Sequence, residues 1–155
     1  MRLRVIAVGT RPPAWVRTAT EQYLERLAPL SAALTEIAPG TRSARGTSHQ
    51  AIAAEGKRLL GALKADEHVT ALDERGRELS TRELAAWLGQ RLHDGRDLAF
   101  LIGGPDGFAP EVLARSDFTL SLSRLTLPHA LARVLLVEQL YRAHSILGNH
   151  PYHRD

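Results

Sequence analysis

The stretch LAFLIGGPDG, residues 98–107, decides the fold. Leu98 to Ile102 is apolar without interruption, the pattern of a parallel strand covered on both faces. It runs into Gly103-Gly104-Pro105-Asp106-Gly107, three glycines in five residues. Such a turn permits positive φ and close approach to the backbone. Working back, HVTALD at His68–Asp73 is a second strand, and Glu74-Arg75-Gly76-Arg77 reads as a turn leading to Ser80. Ser80-Thr81-Arg82-Glu83 has capping-box spacing, predicting a helix to about His93 that Asp94-Gly95 closes. Gln50–Lys64 reads as a helix, Arg2–Thr10 and Ala32–Ile37 as strands. Pro12-Pro13 starts a helix bearing Trp15, Val16, Ala19, Tyr23, Leu24 and Leu27 at helical spacing, with Trp15 and Tyr23 read as core.

Working forward, a short helix follows Pro110, and Phe118–Leu122 is the last strand. After a break at Ser123-Arg124, Thr126-Leu127-Pro128 leads into a helix. Apolar residues occupy nearly every side of that helix, at Leu131, Val134, Leu135, Leu136, Val137 and Leu140. A helix coating one sheet needs a single apolar stripe, so this one is expected to be covered twice. Strands alternating with helices predict an α/β fold, a mainly parallel sheet flanked by helices, in one domain over residues 1–155.

Composition narrows the function. At 44% hydrophobic and 24% charged, the chain is that of an ordinary globular protein. Its apolar runs are far below the roughly 20 residues of a membrane span. MRLRVIAVGT reads as a strand and not a signal sequence, so the expected location is cytoplasmic. Absence of cysteine excludes disulfides, thiol nucleophiles and iron–sulfur clusters. The net charge of +3 is mild, but residues 1–45 hold seven arginines against three acids. The loop PGTRSARGTS, residues 39–48, adds to that face, which is either simply solvated or a surface for phosphate.

Open parallel sheets bind ligands beyond the carboxyl ends of their strands. Three such ends stand out: Leu72-Asp73, Gly103-Gly104 and Leu122–Leu127. The glycine turn is neither GxGxxG nor GxxxxGK[ST], which argues against a nucleotide phosphate. No GxSxG elbow exists, which disfavours an α/β hydrolase. His150-x-x-His153 lacks further metal ligands at suitable spacing, so no metal is expected. Glu138 and Arg142 form an i,i+4 pair that is either structural or faces a site. The tail GNHPYHRD at 148–155 combines His, Tyr and Arg, the set suited to stacking on a base and holding its charge.

LIGGPDG at 101–107, LSRLTLPHALARVLLVEQLYRA at 122–143 and the ending NHPYHRD together closely resemble the RlmH family. So do the overall length, the opening VAVGT-like strand and HDGRD at 93–97. These are SPOUT-superfamily methyltransferases acting on N3 of a pseudouridine in 23S ribosomal RNA. Asp106 stands where many relatives carry Glu, and Asp155 ends the chain; both keep a carboxylate. The resemblance implies a C-terminal trefoil knot, a homodimer, S-adenosylmethionine as cofactor and rRNA within the ribosome as partner. It places cofactor contacts at Leu72, Gly103, Leu122, Ser123, Arg124, Leu125, Thr126 and Leu127. His129, Arg142, Tyr152, His153 and Arg154 become the candidates for nucleotide binding and proton transfer. The rival expectation is a non-catalytic RNA- or ribosome-binding assembly factor using the basic N-terminal half.

Overall fold

The strand faces alternate as the apolar runs require. On β1 (Leu3–Val8), Leu3, Val5 and Ala7 enter one core cluster while Ile6 and Val8 enter another. On β4 (Leu98–Ile102), Leu98, Phe100 and Ile102 join the first cluster, Ala99 and Leu101 the second. This period of two, with both faces covered, is why the two strands read as unbroken hydrophobic runs. The computed structural model describes residues 1–42 and 48–153.

Five parallel strands lie in the order β2-β1-β4-β3-β5, with β2 at Ala33–Ile37, β3 at His68–Glu78 and β5 at Phe118–Ser121. Helices α1 (Ala14–Arg26), α3 (Thr81–Asp94) and α5 (His129–Leu147) pack on the first face. Helices α2 (Ser48–Ala62) and α4 (Pro110–Arg115) pack on the second. Steps toward β2 run through the first face and steps toward β5 through the second, so all four crossovers share one hand. Every strand therefore ends at the same edge of the sheet.

Two expectations need correction. Glu74–Arg77 is not a turn, because β3 continues to Glu78. Leu120 pairs with both Leu72 and Arg77, so residues 73–76 are looped out of register and the strand then resumes. Gly76 makes this possible, since a Cβ there would lie 2.7 Å from the Thr119 carbonyl oxygen. Trp15 is not core: it is 59% exposed. The buried stripe of α1 runs through Val16 and Thr20 toward Leu27, and Trp15 lies one residue, about 100°, off that stripe.

The long α5 explains its own composition. No residue from His129 to Ile146 is fully exposed. Pro128 caps its N-terminus in extended conformation, φ −58° and ψ 143°. The helix lies against α1 and α3 as well as the sheet, so part of its second cover comes from the same chain. Helix α3 begins as its motif predicts. Ser80 Oγ accepts the Glu83 N–H at 3.1 Å, and the Glu83 carboxylate accepts the Ser80 N–H at 2.7 Å. Gly95 closes the helix at φ 75°. Ser80→Ala is expected to cost about 1 kcal/mol. A thermal melt should fall by roughly 2–4 °C, and an unchanged midpoint would show that the cap is redundant.

Candidate active site

At the carboxyl edge of the sheet a cavity of about 450 Å³ opens where β4 and β5 end and β3 loops out of register after Leu72. That is within the roughly 300–1,000 Å³ usual for small-molecule sites. Its first wall is Leu72 with the looped-out Asp73, Glu74 and Arg75. Its second is the glycine turn, where the Gly107 N–H donates to the Gly104 carbonyl at 3.1 Å. Gly107 sits at φ 86°, a conformation that favours glycine. Gly103 has little space, since a Cβ there would lie 3.3 Å from both the Gly107 oxygen and the Phe108 ring.

The third wall is the chain after β5. Ser121 Oγ donates to the Ser123 carbonyl at 3.0 Å, and Ser123 Oγ accepts the Leu125 N–H at 2.9 Å. These side-chain bonds replace the ladder bonds that end with β5 and hold an irregular backbone against the cavity. Leu122, Ser123, Leu125, Thr126 and Leu127 all line it, as do His129 and Ala132 from the first turn of α5. Seven of the eight expected cofactor contacts thus converge. Arg124 does not: its side chain is 88% exposed and lies 4.0 Å from Glu78, away from the cavity.

Charge at the rim is acidic. The Asp73 side chain is 9% exposed. Desolvation opposes its ionisation, but the Arg75 N–H at 2.8 Å and the Arg75 guanidinium at 3.3 Å prevail and hold its pKa below the usual carboxylate value. Asp106 also lines the cavity and accepts Arg42 Nε at 2.8 Å.

The remaining candidates lie elsewhere in the chain. Arg142 is thirteen residues beyond His129 on α5, about 20 Å along the axis. There Glu138 Oε1 accepts both Arg142 Nη2 at 2.6 Å and the Tyr152 hydroxyl at 3.1 Å. Tyr152 also shares a 3.0 Å hydrogen bond with the Tyr23 hydroxyl and packs edge-on to Tyr141 at 4.6 Å. Arg142 lies over the Tyr152 ring at 5.0 Å, and Arg26 reaches the same aromatic group from α1. Burial first, then the bond to Tyr23 and the charge of Glu138, push the Tyr152 phenol well above its ordinary pKa. His153 ends the short 3-10 turn Pro151–His153; its side chain and all of Arg154 lie outside the described residues, as does Arg45 of the basic loop. Among the described residues no group of three or more His, Asp or Glu assembles as a metal site, and no helix is long and apolar enough to cross a membrane.

Sequence reasoning passed over Arg133. Its residue is 2% exposed, four positions after His129, and it joins three elements. Nη1 donates to Glu36 at 2.7 Å, Nη2 to the Gly9 carbonyl at 2.7 Å. An arginine inside so apolar a helix is itself a signal, since arginine is rarely buried without partners. Tyr23 and Glu138 were visible only as a helix residue and half of an ion pair; their convergence on Tyr152 depends on how α1 meets α5.

Comparison with known proteins fits this geometry. Residues 1–153 match the family described as "Predicted SPOUT methyltransferase". The chain is 48% identical over 155 residues to Ribosomal RNA large subunit methyltransferase H of Burkholderia thailandensis, with 99% of each chain covered. The protein of the same name from Burkholderia mallei matches equally, at 48% identity and 99% coverage of both chains. In fold, a solved structure described as a probable methyltransferase from Bordetella pertussis Tohama I aligns with a TM-score of 0.57 at 18% identity. It covers 92% of this chain and 95% of that one.

Proposed function

The chain belongs to the SPOUT methyltransferase family, and from that premise we propose that it transfers the methyl group of S-adenosylmethionine to N3 of a pseudouridine in 23S ribosomal RNA. The observation that carries the reading is the convergence of Leu72, Gly103 and Leu122–Leu127 around one cavity. The residues present suit this cofactor. It has no phosphate, and the cavity offers no lysine; its lining holds Asp73, Glu74 and Asp106 against the one arginine Arg75, a balance that does not repel a cationic sulfonium. Irregular backbone from two loops supplies groups for a purine edge, and Leu122 and Leu127 supply apolar cover. When bound, the cofactor provides an electrophilic methyl group on sulfur.

The chain's own task is to present the nucleotide. N3 of pseudouridine is an imide nitrogen that carries a proton and attacks poorly until that proton leaves or the developing charge is stabilised. His129, which lines the cavity, takes the role of acting on such a proton within one chain in this reading. Tyr152, with its pKa raised, serves as a hydroxyl donor and not as a base. Arg142 and Tyr152 hold the nucleotide from the far end of α5, and His153 and Arg154 share that task in this reading. Because that end is about 20 Å from His129, they serve the cavity of a partner subunit in a homodimer. The half-buried Leu131, Val134 and Leu135 give α5 an apolar surface for that second copy. The reading includes a trefoil knot in the C-terminal segment. The protein then works in the cytoplasm, where ribosomes are.

The test is methylation of ribosomes from a strain lacking the modification, with the modified position mapped. One methyl group at N3 of a single 23S pseudouridine is expected. Cofactor titration separates the rival: micromolar binding fits the enzyme, and absence of binding with retained RNA affinity fits an assembly factor.

A further inference from the structure

An ionic chain runs from the second face of the sheet to the glycine turn. It starts at Glu55 on α2, a carboxylate only 2% exposed. Glu55 Oε2 accepts the Gly40 N–H at 2.8 Å and Arg42 Nη1 at 2.8 Å, and Oε1 accepts Nη2 at 3.3 Å. The same guanidinium donates Nε to Asp106 Oδ2 at 2.8 Å. The bond to Glu55 first, then that to Asp106, raises the Arg42 pKa against desolvation, so its charge is permanent.

The packing around this chain is close. A Cβ at Gly104 would lie 2.9 Å from Glu55 Oε1 and 3.4 Å from Arg42 Nη2. A Cβ at Gly56 would lie 2.8 Å from the Ala109 Cβ. Helix α2 therefore presses on both ends of the segment 104–109. A buried carboxylate is costly unless paired, and an apolar residue would fill the same space at lower cost. What the charge adds is a directional hold on a turn whose glycines otherwise leave it loose.

We propose that Glu55 and Arg42 are positioning residues that latch the Gly103–Gly107 turn, through Asp106, in the conformation that forms the cavity's second wall. Asp106 is the handle, with its side chain 39% exposed, and it can be removed while the bond of Arg42 to the buried Glu55 stays intact. The role in catalysis rests on the cofactor reading given above; the latch itself has a readout that does not.

The experiment compares Asp106→Ala, Asp106→Glu and wild type by amide hydrogen exchange, S-adenosylmethionine calorimetry and thermal melting. Asp106→Ala should speed exchange at 104–108 roughly tenfold, the scale of one charge-assisted hydrogen bond, with the melting midpoint nearly unchanged. The cofactor Kd should rise about five- to tenfold, with kcat at saturating cofactor reduced much less. Asp106→Glu, which keeps the carboxylate, should restore most of both. Unchanged exchange at 104–108 in Asp106→Ala overturns the latch. Wild-type protein that fails to bind the cofactor overturns the reading of the cavity, while the exchange result still decides the latch.

Discussion

A chain truncated after Asn149 is expected to lose methyl transfer by about 10³-fold or more, the scale for removing positioned proton-transfer and charge-stabilising groups. Its affinity for S-adenosylmethionine should stay within about twofold, because no described residue beyond Ala132 lines the cavity. The truncation removes Tyr152 from its clasp between the Tyr23 hydroxyl, the Tyr141 ring and Glu138. It leaves Glu138 bonded to Arg142 and to the Gln139 side-chain amide, which keeps α5 intact. Single-turnover methylation with saturating cofactor, together with calorimetry, separates the two effects. Normal turnover by the truncated chain ends the assignment of the tail. Tyr152→Phe refines it. Losing only the hydroxyl breaks the bonds to Tyr23 and Glu138 but keeps the ring packing, so a partial loss is expected.

The second large effect is on stability. Arg133→Met keeps most of the side-chain volume but removes both hydrogen bonds of a nearly fully buried guanidinium. The Gly9 carbonyl loses its donor, and Glu36, whose side chain is 34% exposed, turns toward water. The expected cost is about 2 kcal/mol. For a chain of this size that lowers the melting midpoint by roughly 4–8 °C. Arg133→Lys should recover part of the loss, since an ammonium can reach one partner but cannot span both with a planar fork. A midpoint unchanged in Arg133→Met would mean that packing alone holds β1 and β2 to α5. Gly9 sits at φ 121° beside this side chain, so the same variant tests how the loop after β1 is fixed.

The two-faced strands were legible because a period of two survives any tertiary arrangement: Leu98–Ile102 could hardly be anything but central. The capping box at Ser80 was equally local and equally readable. The cavity wall was legible because parallel strands bring their ends together whatever lies between them. What failed was whatever depended on a single register. Trp15 missed the buried stripe by one residue, and Glu74–Arg77 looked like a turn because a looped-out segment uses the same glycine and charged residues. Arg133, Glu55 and Arg42 were obscure for a different reason. Their meaning lies in partners 124, 15 and 64 positions away, at Gly9, Gly40 and Asp106, which no local pattern specifies.

The 19 residues of α5 also set a metric on the molecule. One end borders the cavity and the other carries Glu138, Arg142 and the Tyr152 clasp. Inserting a single residue between them would advance the far end by about 1.5 Å and swing it by about 100°. No loop lies between to absorb that rotation. Seven added residues nearly restore the facing but lengthen the spacing by roughly 10 Å. Point substitutions in this helix leave the span from His129 to Arg142 unchanged; changes in its length do not.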